Sequence, residues 1–457
     1  MKKKILPTLL YGIPIVFFIV SYFIIITSGE DIWQGAQSNI DIIGDSIAAF
    51  NHSVRLADMF AWAIINFFDY TYSFGPDTIL RLFDIALAFS IFYMATYIVL
   101  QRKPRFVLKD SAIFCSIFLL VFATSNGLTL YAGFSKIHNY LFITFFSLLF
   151  GIFYLRDLWG KKSSENKLFP LFMLILGFLF GFASNVTAII FILSLPFYAL
   201  YLHITHQKIP FKTFFTSWRF AGVIGILLSI ILMYVIGNGL GDYDTNPVYL
   251  IVCDYIPLPE LLAHPFDYVG RLIWHNVYNF GRFLIPFVVA IIPFAIYSGI
   301  RHYKPNFHVL KPHKNYLVAS LIFIFMHIFA LSQIVYPTRL VLPAYIFACS
   351  IFIFIFDKLF FTEKPLFNKK SFIVLSSILL ILAIGITAIR SYFAISYVSR
   401  INPILEEIKN SDSDTYCVNL KTATAEYIPY FHFGQEDFLV DWAMPQQIYG
   451  KTIYYCD

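Results

Sequence analysis

Residues 5–27, ILPTLLYGIPIVFFIVSYFIIIT, run from end to end without a charge. A helix needs roughly 20 such residues to cross the hydrocarbon core of a bilayer. In lipid a backbone of this kind satisfies its own hydrogen bonds only as a helix or a closed barrel. Further apolar runs at about 77–100, 110–125, 138–156, 168–183, 186–204, 219–236, 281–300, 315–334, 339–357 and 371–390 bring the expected spans to eleven. The first has no small-residue cleavage site and many spans follow it, so it reads as a retained anchor rather than a signal peptide. The chain is 59% hydrophobic and 13% charged, far too apolar for a soluble domain of 457 residues. The expected fold is an all-α polytopic membrane protein, a bundle of about eleven transmembrane helices with external juxtamembrane helices.

Lysine and arginine orient the bundle. The start MKKK, the links at 101–109, 156–167, 206–219 and 301–314, and residues 357–370 together hold two thirds of the 33 basic residues. Placing them in the cytoplasm puts the N-terminus inside and the C-terminus outside with no span reversed. Residues 54–72 are interrupted by Asp58, Asn66 and Asp69. A twelfth span there would break the alternation, so this segment is expected to lie along the interface. The organisation that follows is a membrane domain over 1–391, with external loops at 28–75 and 237–280, and a small extracytoplasmic region over 392–457. The net charge of +6 is scattered over short cytoplasmic turns and gives no reason to expect a nucleic-acid partner.

The tail alternates short apolar and polar runs and reads as a small β-rich or mixed cap. Cys417 and Cys456 bracket it on the oxidising side, where a disulfide is allowed, and Cys253 is a competing partner. Cys115 and Cys349 fall within spans and read as packing residues. No Cys/His spacing suits a metal and no glycine-rich phosphate loop is present.

The polar residues that remain gather on the external side. TSGEDIWQG, 27–35, sets Glu30 beside Asp31 just beyond the first span. Arg81, Arg271, Arg282 and Arg339 stand at external span ends, where a bare arginine is otherwise an anchor. Asp84 and His327 are ionisable groups within spans, functional candidates or polar contacts between helices. The loop 237–280 mixes aromatics with carboxylates, a composition suited to sugars. No spacing specifies a cofactor, and Asp242 and Asp244 in DYD are candidates to offer hard oxygen ligands to a divalent cation, Mg or Mn. Arginines can hold a lipid phosphate through charge-assisted contacts while a carboxylate opposite removes a proton from an incoming hydroxyl. That chemistry is glycosyl transfer from a lipid-phosphate sugar.

Five segments carry a resemblance. GED at 29–31, FNHSVRLADMF at 50–60, LYAGFSKIHNYLF at 130–142, GFASNVTAI at 181–189 and QIVYPTRLVLPAY at 333–345 follow in order. Together they resemble the GT-C superfamily of membrane glycosyltransferases, in particular bacterial glucosyltransferase-like proteins of the O-antigen-modifying type. The resemblance implies a GT-C-like bundle in the bacterial plasma (inner) membrane that transfers sugar from a polyprenyl-phosphate donor to a glycan or lipid-linked acceptor. It implies a monomer whose other partners are membrane lipids.

The resemblance also implies roles. Asp31 is the catalytic carboxylate, with Glu30 as helper or as the base itself. Arg55 and Arg339 hold the donor phosphate, and Arg271 and Arg282 are further substrate-binding candidates. His52 and His138 are candidates to touch phosphate or sugar. Asn139 and Tyr140 open the span after the external turn, and Asn185 follows a small-residue stretch. For Asn139 and Asn185 helix capping is the plainer reading. Glu-Asp stands where relatives often carry Asp-Asp or Asp-Glu, and Ser-Asn-Val where they tend to place an acid beside the Asn. A polysaccharide polymerase or ligase would also use external arginines, without depending on an acid in the first loop. A transporter or flippase would show inverted repeats and broken helices at mid-depth, and no convincing repeat is present.

Overall fold

The computed structural model describes residues 2–21, 76–122, 134–161, 167–205, 217–236, 249–252, 254–257, 263–333, 341–362, 366–419, 446–448 and 451–456. Eleven α-helices stand among them: α1 (Lys2–Ile19), α2 (Pro76–Leu100), α3 (Leu108–Phe122), α4 (Phe134–Leu158), α5 (Phe169–Ala183), α6 (Asn185–Ile204), α7 (Trp218–Ile236), α8 (Pro265–Ile300), α9 (Lys314–Gln333), α10 (Leu342–Asp357) and α11 (Lys369–Asn410). Each overlaps one of the expected spans. Seven, namely α2, α4, α6 and α8 to α11, contain stretches long and apolar enough to cross a membrane, and α1, α5 and α7 are shorter apolar helices. The architecture is that of a polytopic membrane protein.

Burial sorts the helices into centre and rim. Of its membrane-length stretch, α10 buries 72%, whereas α8 and α11 bury 17% each. The rim helices turn residues such as Ile285, Val288, Ile381 and Leu382 outward, all at least half exposed. Contiguous apolar surface on this scale needs lipid as its solvent. Inside, Phe17 and Phe18 of α1 interlock with Phe92 of α2 and with Phe118 and Phe122 of α3, ring centroids lying 4.5–6.2 Å apart. Aromatic rings fill the gaps between cylinders that smaller side chains would leave open.

The closest pair is α5 and α7, and glycine allows it. A Cβ added to Gly177 would overlap the carbonyl oxygen of Gly222, and one on Gly225 would overlap that of Leu174. With little hydrophobic driving force between helices in lipid, small residues gain association by letting backbones touch.

Ion pairs gather at the basic end. Arg102 grips Asp110, Lys109 meets Asp357 at 2.6 Å, and Arg219 meets Asp157 at 2.5 Å. At the opposite end, Tyr345 near the start of α10 donates to the carbonyl of Leu120 near the end of α3 at 3.2 Å. With the Lys109–Asp357 pair at the other ends of the same two helices, that bond sets α3 and α10 antiparallel.

Two helices outrun their expected spans. α8 begins at Pro265, sixteen residues before the expected start at 281, so the last third of the loop 237–280 is helical. Trp274, Val277 and Tyr278 on this extension are more than half exposed. α11 passes residue 391 and ends at Asn410, where Ser411 leaves the helix in an extended conformation. Beyond it β3 (Thr415–Asn419), β4 (Gln446–Ile448) and β5 (Lys451–Cys456) form a sheet in the order β3-β5-β4. β3 pairs parallel to β5, and β4 pairs antiparallel to it. A separate antiparallel hairpin is formed by β1 (Tyr249–Val252) and β2 (Asp254–Pro257). Cys417 is disulfide-bonded, while Cys115 and Cys349 are free and buried.

Candidate functional site

At the end of the bundle away from the basic links, three polar side chains are withdrawn from the surface. Asp84 and His327 are 0% exposed and Asn279 is 1% exposed. Helical periodicity puts each in a buried stripe. Asp84 continues the row Ala88, Ile91, Ala95 and Ile98 of α2, all essentially closed to solvent. Asn279 lies one turn before Phe283 of α8, whose ring meets Tyr345 edge-on at 5.3 Å. His327 lies one turn beyond Phe323 of α9, at 5.6 Å between rings, and Phe323 in turn packs on Phe347 of α10 at 5.7 Å. α10 therefore links the helices carrying Asn279 and His327. Phe83, beside Asp84, contacts Phe142 of α4 at 5.7 Å, two residues after Tyr140.

The residues expected from the sequence divide by place. Tyr140 is buried in the second turn of α4, and its carbonyl accepts from Thr144 at 2.7 Å. Arg282 is half-buried on α8 beside Phe283. His138 and Asn139 belong to the first turns of α4, Arg271 to the extension of α8, and Asn185 is the first residue of α6. The side chains of those four lie outside the described residues. Capping at the start of α6 falls to Ser184, whose Oγ accepts from the Thr187 amide at 3.2 Å, and not to Asn185. Ser184 alone separates α5 from α6. Glu30, Asp31, His52, Arg55, Asp242, Asp244, Arg339 and the segment 54–72 lie outside the described residues. Among the described residues no cluster of metal-ligating side chains occurs.

A cavity of about 890 Å³, which no sequence motif announces, is lined chiefly by α4, α6 and α9. Ser147, Gly151 and Leu155 of α4, Phe191 and Ser194 of α6, and Ser320 of α9 line its length. Its charged lining, Asp157, His203 and Arg219, lies at the basic end, which is taken as the mouth. Both Nε and Nη2 of Arg219 donate to the same oxygen, Oδ2 of Asp157, at 2.9 and 2.5 Å. The Tyr154 hydroxyl holds the Arg219 carbonyl at 2.6 Å, and the guanidinium lies 5.0 Å from the Trp218 ring centre. The only signal in the sequence was a charge at the end of each of two apolar runs, 62 residues apart. No family model matches the chain, and no curated protein and no solved structure shows significant similarity to it.

Proposed function

We propose that the chain is a membrane glycosyltransferase of the GT-C type, with all eleven helices crossing the bacterial plasma membrane and its acidic loop facing outward. It transfers a sugar, with inversion, from a polyprenyl-phosphate donor to a hydroxyl of a cell-envelope glycan or lipid. Asp31, assisted by Glu30, takes the hydroxyl proton as the acceptor oxygen attacks the anomeric carbon. The bond from that carbon to the phosphate oxygen breaks, and polyprenyl phosphate departs with the electron pair, held by Arg55 and Arg339. A phosphate leaving group makes a covalent enzyme intermediate unnecessary.

The full burial of Asp84, Asn279 and His327 within their helices carries this reading. Ionisable groups inside a membrane bundle are costly and mark functional regions. These residues lie toward the end of the bundle at which the acidic pair is expected, with Arg282 on the same helix as Asn279 and Tyr140 on α4, which packs against the helix of Asp84. The test incubates purified protein with labelled polyprenyl-phosphate hexoses and a membrane-glycan extract. Asp31→Asn is expected to keep donor binding and lose most turnover, and Arg339→Ala to weaken donor binding. Full transfer by the Glu30→Gln, Asp31→Asn double variant would exclude the mechanism.

A further inference from the structure

The cavity between α4, α6 and α9 has the polarity of an amphiphile. Its three wall serines are already satisfied: Ser147 donates to Ile143, Ser194 to Ile190 and Ser320 to Tyr316, at 2.5, 2.7 and 2.7 Å. Each bond goes to the carbonyl one turn earlier, so the wall asks nothing polar of an occupant. Charge is confined to the mouth. There the Arg219 fork spends two of its nitrogens on one oxygen of Asp157, leaving Nη1 with no acceptor among the described residues. Depth is equally telling. From Ser147 to Leu158 the wall rises roughly 16 Å at 1.5 Å per residue. One leaflet of a bilayer core of about 30 Å is about 15 Å deep.

We propose that this cavity binds a phospholipid of the leaflet at the basic end, its hydrocarbon chain between α4, α6 and α9 and its phosphate at Nη1 of Arg219. The site is separate from the proposed sugar-transfer chemistry at the opposite end. A guanidinium suits a phosphate because it is always charged and its hydrogen bonds to phosphate oxygen are charge-assisted, and this one is oriented in advance by Asp157 and by the Trp218 ring. His203 adds a second donor at the mouth. A chain here also supplies the packing that α4 lacks against the α6 and α9 pair.

Gly151 provides the test. A Cβ added there meets nothing within 4 Å, so a larger side chain enters the cavity without moving the backbone. The intact protein is reconstituted in phosphatidylcholine vesicles doped with phosphatidylglycerol carrying a photoreactive diazirine in one acyl chain. After illumination, labelled peptides are mapped by mass spectrometry. Labelling is expected at 147–158 and 191–203, reduced about tenfold in Gly151→Phe, the equivalent of roughly 1.4 kcal/mol. Arg219→Gln is expected to abolish the preference for this probe over a diazirine diacylglycerol, which has no phosphate. Ser194→Phe blocks the same space from α6 and serves if Gly151→Phe does not fold. Unchanged labelling of folded cavity-filling variants would overturn the site. Equal labelling of the wild type by the phosphate-free probe would overturn the assignment of the head.

Discussion

Arg102 and Asp110 form a two-pronged clamp, Nη1 on Oδ2 at 2.7 Å and Nη2 on Oδ1 at 2.8 Å. The Arg105 amide donates to the same Oδ2 at 2.7 Å, and the Asp110 side chain is 0% exposed. One carboxylate thus organises the whole turn from α2 to α3, a turn that begins with Gln101 at a φ of 53°. Asp110→Ala leaves the arginine and the amide without their acceptor, at a cost of about 2 kcal/mol. Thermal unfolding in detergent is expected to show a lowered midpoint, and Asp110→Asn to recover part of it. An unchanged midpoint in Asp110→Ala would mean that the clamp is dispensable.

The α5–α7 contact predicts intolerance at glycine. Gly225→Ala sets a methyl against the Leu174 carbonyl, and Gly177→Ala sets one against Gly222. Both obstacles are backbone, so the helices must part, and overpacking of this kind costs roughly 1–3 kcal/mol. Gly12→Ala in α1 meets nothing within 4 Å and serves as the control. Equal thermal midpoints for all three variants would contradict the close approach.

Tyr416 donates to Oε2 of Glu407 at 2.5 Å, tying the sheet to the end of α11. That bond first, then burial, raises the Tyr416 hydroxyl from its ordinary value of 10.0 to about 12. Because the folded value is the higher one, the bond's contribution is present in full below pH 10 and fades as pH rises through about 12. Difference titration at the tyrosinate absorbance, wild type against Tyr416→Phe, isolates this group among the 30 tyrosines. Glu407→Gln is expected to bring its midpoint down. A midpoint already at 10 in the wild type would rule out the bond in solution.

The partner of Cys417 follows from strand register. Cys417 stands opposite Tyr454 on β5, and Cys456 stands opposite Asn419, two positions further on. With strands about 4.8 Å apart and two residues of rise, their Cα atoms are about 8 Å from one another. A disulfide reaches only about 6.8 Å. Cys115 and Cys349 are free, so Cys253 is the expected partner, in place of the Cys456 that the spacing of the tail suggested. Non-reducing peptide mapping is expected to recover a Cys253–Cys417 peptide, and a Cys417–Cys456 peptide would restore the other pairing.

Topology is tested by single introduced cysteines and a thiol reagent that cannot cross the membrane. In sealed cells, cysteines at Asp45 and Tyr430 are expected to label, and those at Arg105 and Pro365 to remain protected. The reverse pattern would invert the bundle and place the acidic pair inside.

Helix positions were legible because a membrane span announces itself locally: an unbroken apolar run of about 20 residues satisfies its backbone within its own segment only as a helix. The runs at 77–100 and 168–183 fall within a residue or two of α2 and α5. Helix ends past the apolar boundary were not legible. α8 and α11 continue into polar sequence, where propensity competes with capping and packing and hydropathy is silent. Asp84 and His327 could be singled out in the sequence because a charge in an apolar run is conspicuous, but their full burial is a property of the neighbouring helices.

Relations between distant parts of the chain came only from tertiary structure. Gly177 and Gly225 each look like an ordinary helix glycine until α5 and α7 are laid together. Asp157 and Arg219 read as two unrelated basic-end charges until the fold joins them across the mouth of a cavity. Which residues enter the membrane is decided by the chemistry of each segment against lipid, and one sequence contains that in full. Which helix meets which is decided by the fit of many surfaces at once, and the space left between α4 and the packed pair α6 and α9 belongs to no single segment.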